Sequence, residues 1–112
     1  MMTPEEALKY QKELMEEALS IVERKRNDYS GGEDPFRNFR ATTAVAGVET
    51  WRGVLVRLAD KLSRIRSVMD AGGVRAVASE TLRDTICDSI NYVCILGCLI
   101  EEELHERTDI NR

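Results

Sequence analysis

The chain has 112 residues, enough for one domain with a modest core. Its 43% hydrophobic and 32% charged residues place it with globular rather than disordered chains, and its net charge of -4 argues against a general binder of polymeric nucleic acid. Aromatics make up only 5% and prolines number two, a composition that favours helices.

The opening MMTPEEALKY is charged early and has no apolar leader segment. The longest apolar run, Tyr92 to Ile100, is far short of the about 20 residues that cross a bilayer. No membrane partner is expected, and the expected location is the cytoplasm. A first helix is predicted from Thr3 to about Asn27. Thr3-Pro4-Glu5-Glu6 has the cap, the proline at the first helical position and the capping-box glutamate in order. Ala7, Leu14, Ala18, Ile21 and Val22 recur at helical spacing. A loop from Asp28 to Pro35 follows, its Gly31, Gly32 and Pro35 breaking the helix. Asp34-Pro35 then predicts the cap and first residue of a short helix carrying Phe36 and Phe39.

A second long helix is predicted from Thr43 or Val45 to Met69, with Trp51, Leu55, Leu58, Leu62, Ile65 and Met69 facing a partner helix. Ala71-Gly72-Gly73 should end it. The last helix should start near Ala76 or Ser79 and reach about Glu106, with Leu82, Ile86, Ile90, Val93 and Ile100 as its main stripe. Cys87, Cys94 and Cys98 form a second stripe; odd in number and without a CxxC pair, they are expected to be reduced core residues. A helix apolar on nearly every side is central. The expected fold is all-α, three long helices and a short one around a four-helix-type core, completed by a homodimer or higher homo-oligomer.

Two polar constellations stand out. On the last helix Glu80, Asp84 and Asn91 lie within roughly 40° of one another, and Asp88 within roughly 80° of Glu80. Carboxylates on a greasy helix are costly to bury without a cation or a basic partner. On the second long helix Glu49, Gly53, Arg57, Asp60, Lys61 and Arg64 share one face. If the two faces meet, they form an acid-rich cleft edged by cations. Mg²⁺ commonly takes a few carboxylates plus substrate phosphate, and Lys61 and Arg64 could meet the outer phosphates. A solvated charged face laced by i,i+4 salt bridges would carry the same pattern. Around the loop, Lys25, Arg26, Arg37 and Arg40 flank Tyr29, Phe36, Asn38 and Phe39. Aromatic faces can stack on a base, an asparagine can read its edge, and cations can hold phosphate. Anchoring of the loop by its aromatics explains the same residues. A single histidine, His105, leaves no zinc cluster.

Together, Lys25-x-x-Asp28-Tyr29, Phe36-x-Asn38-Phe39, Glu49, Arg57-x-x-Asp60-Lys61-x-x-Arg64 and Glu80-x-x-x-Asp84-x-x-x-Asp88-x-x-x-Tyr92 resemble the nucleotide-modification-associated domain family, a small all-helical family common in bacteriophages and formerly a domain of unknown function. More loosely, Asp88 followed by Tyr92 is similar to the end of the metal motif of all-α MazG-like and dimeric dUTPase nucleoside triphosphate pyrophosphatases. The chain departs from that motif at Thr85, where a glutamate is expected, and offers Glu49 and Asp60 in place of a clustered Glu-Glu-x-x-Glu. The resemblance implies a phage-type enzyme, in the host cytoplasm, hydrolysing a nucleoside triphosphate between its α and β phosphates with Mg²⁺. Glu49, Asp60, Glu80, Asp84 and Asp88 would hold metal, one of them orienting water. Lys61 and Arg64 would neutralise the phosphates, and Lys25, Asp28, Tyr29, Phe36, Asn38, Phe39 and Arg57 would hold the nucleotide. The departures favour an alternative, a non-catalytic protein that sequesters a nucleotide, including a cyclic signalling nucleotide of host defence. A helical assembly module with no nucleotide affinity is a third expectation.

Overall fold

The computed structural model describes the backbone of residues 1–29, 34–72 and 79–110 and the side chains of residues 1–25, 34–72 and 81–106. Four helices follow in order: α1 (Pro4–Tyr29), α2 (Arg37–Ala46), α3 (Thr50–Asp70) and α4 (Ser79–Ile110). No strand occurs among the described residues, so the fold is all-α with three long helices and a short one.

The ends of the helices follow from local chemistry. Thr3 Oγ1 accepts the Glu6 amide at 3.1 Å and so caps α1 as its sequence predicts. Asp34 Oδ1 takes the Phe36 amide at 3.0 Å, but Pro35 and Phe36 form a turn and α2 starts only at Arg37. The expected start of the next helix at Thr43 or Val45 is also corrected. Thr43 and Val45 belong to α2, which runs to Ala46. Gly47 then adopts φ +73 and closes the helix, its amide bonding Ala44 O while the Val48 amide bonds Thr43 O. This is the glycine-dependent left-handed stop of a Schellman motif. α3 begins after Glu49 and ends where Ala71 and Gly72 predict.

Packing is layered rather than ring-like. α1 packs on α4, α4 on α3, and α3 on α2. α3 and α4 run antiparallel, with Lys61 beside Asp88 and Trp51 at the level of Leu99. α1 runs alongside α4 in the same direction, since Tyr10 meets Arg83 and Ala18 meets Asn91. α2 folds back on α3 so closely that a Cβ at Gly53 would overlap Thr43 Cγ2.

The inward face of α3 is Trp51, Val54, Leu58, Lys61, Ile65 and Val68. Leu55, Leu62 and Met69, expected to share that face, are exposed. The apolar arc of α3 is wider than one neighbouring helix covers, and α4 takes its Val54 edge. The same holds on α4, where Val93 and Ile100 are exposed and Leu99 is buried. Cys87 is fully buried, whereas Cys94 and Cys98 are exposed, contrary to a core role for those two. Thr85 and Ser89, buried polar residues, are satisfied by bonds to carbonyls one turn back.

Among the described residues the buried apolar side chains are few: Ala18, Val54, Leu58, Cys87 and Leu99. The radius of gyration is 16.8 Å, against about 13 Å for a compact domain of this length. The accessible surface is 8816 Å², against about 6,200 Å² for a compact monomer of this mass.

Candidate functional site

The polar faces of α3 and α4 meet at one ion pair. Lys61 Nζ lies 3.3 Å from Asp88 Oδ2, with the side chains 24% and 31% exposed. Arg57, Lys61 and Arg64 share a roughly 60° arc of α3, and Asp84, Asp88 and Tyr92 a roughly 80° arc of α4. With the helices antiparallel, the pair fixes the alignment: Arg57 comes to the level of Tyr92, and Arg64 to that of Asp84. The first juxtaposition is completed by Phe39, whose ring meets Tyr92 edge-on at a centroid distance of 6.1 Å. The Arg57 guanidinium stands 5.8 Å from the Phe39 centroid. Three elements therefore build one surface: aromatics from α2 and α4 at one end, the ion pair at the middle, and Arg64 with Asp84 at the other.

Its electrostatics are mixed. Arg57, Asp60, Arg64 and Asp84 are exposed. Lys61 is neutralised by Asp88, while Asp84 has no ion-pair partner among the described residues. An anion approaching here meets two unneutralised arginines and an aromatic floor, a combination suited to a phosphate ester carrying a ring.

The structure thus brings together Phe39, Arg57, Lys61, Arg64, Asp84 and Asp88, with Asp60 one residue from Lys61. Other expected residues lie elsewhere. Glu49 precedes α3 and is paired with Arg52 at 2.7 Å, which holds its carboxyl below the usual range. Twelve residues separate it from Lys61, roughly 18 Å along the helix axis, so it does not join Asp84 and Asp88. Lys25 is exposed near the end of α1. Asn38 is exposed, and Phe36 lies under the Arg40 guanidinium at 5.9 Å. The side chains of Asp28, Tyr29 and Glu80 lie outside the described residues. Among the described residues no three Asp, Glu, His or Cys side chains form a metal cluster.

Two residues singled out by sequence are structural. Asn91 Nδ2 donates to Ala18 O at 3.0 Å, tying α4 to α1. Arg40 bridges Asp34 and Glu102, each at 2.8 Å, and its hydrogen bond to Asp34 holds that carboxyl below the usual range. Tyr92, by contrast, enters the site as a contact residue that the base-binding assignment omitted. Its signal was the four-residue step from Asp88, which keeps it on the carboxylate face. A small hollow of about 120 Å³ lies at the N-terminal end of α3, between Trp51, Leu99 and Glu106. It is too small for a nucleotide, whose pockets occupy about 300–1,000 Å³.

Compared with known proteins, the chain matches no family model, no curated protein and no solved structure.

Proposed function

We propose that this protein is a nucleotide-handling protein whose site is the polar surface between α3 and α4. The observation that carries the reading is the alignment fixed by Lys61 and Asp88, which sets Arg57 and Arg64 on either side of the pair and the Phe39–Tyr92 contact beside Arg57. Phosphates would lie on Arg57 and Arg64, with Lys61 swinging from Asp88 to phosphate, and the base would lie against Phe39 and Tyr92. The family resemblance supports the same reading.

Mg²⁺-dependent pyrophosphohydrolysis is the second reading, favoured by Asp84 and Asp88 on consecutive turns of α4. Two carboxylates completed by phosphate oxygens are a donor set that Mg²⁺ accepts. Asp84 and Asp88 fit that role and Glu49 does not. A bound Mg²⁺ would supply charge to the phosphates and an activated water. Arg57, Lys61 and Arg64 would hold the phosphate chain and neutralise its oxygens.

The test is a screen of the purified protein against nucleoside triphosphates and cyclic dinucleotides, with Mg²⁺ or EDTA, reading melting temperature and products together. Monophosphate and pyrophosphate formed only with Mg²⁺, and lost in Asp84→Asn and Asp88→Asn with helicity intact, would establish hydrolysis. A stabilising shift with the nucleotide recovered whole would establish sequestration. No shift and no product across the panel would overturn both.

A further inference from the structure

We infer that the face opposite the polar surface is the interface for a second copy of this chain, in a two-fold dimer. The argument starts from a regularity in the three long helices. On each, most of the exposed apolar residues directly follow an inward one, Tyr10 on α1 and Val56 on α3 excepted. Leu8 follows Ala7, Met15 follows Leu14, Leu19 follows Ala18 and Val22 follows Ile21 on α1. Leu55 follows Val54, Leu62 follows Lys61 and Met69 follows Val68 on α3. Val93 follows Tyr92, Ile100 follows Leu99 and Leu104 follows Glu103 on α4.

In a right-handed helix the next residue lies about 100° clockwise, seen from the N-terminus. α1 and α4 run the same way with α1 on one flank of α4. α3 lies on the other flank and runs the opposite way. A clockwise step from the inward direction therefore points to the same side on all three. The cations of the polar row occupy the other side, because Arg57 and Arg64 directly precede the inward Leu58 and Ile65. The molecule thus has one polar face and, behind it, one apolar face three helices wide. The half-buried Ile86 and Ile90 continue the α4 stripe toward its N-terminal end.

The occupant follows from area and shape. The ten exposed residues are 39% to 58% exposed. Together they offer roughly 900 Å², close to the about 800 Å² per partner of a stable interface. Pairing this face with itself covers about a third of the surface that the chain shows beyond a compact monomer, and adds to its few buried apolar residues. Gly97 lies between Val93 and Ile100, and a Cβ there would meet nothing, so the α4 backbone is open to close approach at that point of the stripe. Lys12 and Arg66 are the charges within the stripes, and Arg66 is paired with Asp70 at 3.6 Å. A mostly apolar face, interrupted by Lys12 and the paired Arg66, suits an isologous contact with a second copy. The two polar surfaces then point outward on opposite sides of the dimer.

Sedimentation velocity and light scattering on the full chain test this. The expected mass is that of two chains, falling to one in Leu19→Glu, Leu62→Glu and Ile100→Glu with helicity retained. Val45→Glu, on α2 and off the face, should stay dimeric. Should the charged variants fail to fold, lysine cross-linking of mixed light and heavy wild-type chains replaces them. Links between copies through Lys12 are expected, and links between copies through Lys61 are not. A single-chain mass at every concentration overturns the proposal, as do an assembly larger than two chains, a dimer that survives all three substitutions and inter-copy links through Lys61. Asp88→Asn should leave the mass unchanged, so the fate of this interface is separate from that of the nucleotide reading.

Discussion

Replacing Asp88 by asparagine separates the two functional readings, because they give it opposite signs. In the structure Asp88 neutralises Lys61 across 3.3 Å. Unit charges at that distance attract by about 5 kcal/mol at an effective dielectric constant near 20 and by about 1.3 kcal/mol in bulk water. Both side chains are partly exposed, and the lysine loses rotamer freedom in the pair. The net coupling should therefore be about 1 kcal/mol. A double-mutant cycle of Lys61→Met and Asp88→Asn, followed by urea unfolding at fixed protein concentration, measures it directly. For nucleotide binding, Asp88→Asn releases Lys61 for phosphate without cost. Affinity measured calorimetrically in EDTA should rise about fivefold, the equivalent of about 1 kcal/mol. If Asp88 carries Mg²⁺ instead, the same substitution removes the Mg²⁺-dependent part of binding and turnover. A coupling energy of zero, with nucleotide affinity unchanged in both Mg²⁺ and EDTA, would refute the reasoning.

Gly53→Ala should destabilise the protein by about 1–3 kcal/mol in urea unfolding, because its Cβ would overlap Thr43 Cγ2. Thr43→Ser deletes that methyl yet keeps the hydroxyl bond to Phe39 O, so the double variant should recover most of the loss. A disulfide reagent should label Cys94 and Cys98 in the native protein and Cys87 only after denaturation, since burial hides the Cys87 thiol and pushes its pKa up. Equal reactivity of all three would contradict the packing of α4. The Asp34 carboxyl is lowered by its hydrogen bond to Arg40 and by the Phe36 amide, so its stabilising effect is complete above the unfolded value near 4 and is lost as pH falls through the folded value. The melting-temperature gap between the wild type and Asp34→Asn should accordingly close in acid; a gap that persists there would show that Arg40 is not held by that charge.

The helices and most of their ends are legible in the chain. Thr3, Asp34 and the Ala71-Gly72 pair act through bonds and torsions within a few residues, so their effect is local. The sequence also determines which residues share a face, because 3.6 residues per turn is a property of the chain alone. The meeting of the α3 and α4 polar faces was readable as a possibility on those grounds. The break at Gly47 was legible in principle, but the continuous helical propensity around it concealed a stop that depends on one left-handed residue.

Which arc of each helix is covered depends on packing between helices. α3 and α4 carry apolar residues over more than one neighbour's width. Periodicity cannot tell Leu55, Leu62 and Met69, left outside, from Val54 and Leu58, taken inside. The separation of Glu49 from Asp88 and the union of Phe39 with Tyr92 were hidden for the same reason. A helical wheel collapses the axis, so residues that coincide in angle can lie several turns apart. Residues on different helices become neighbours only when packing fixes how far one helix slides along the next.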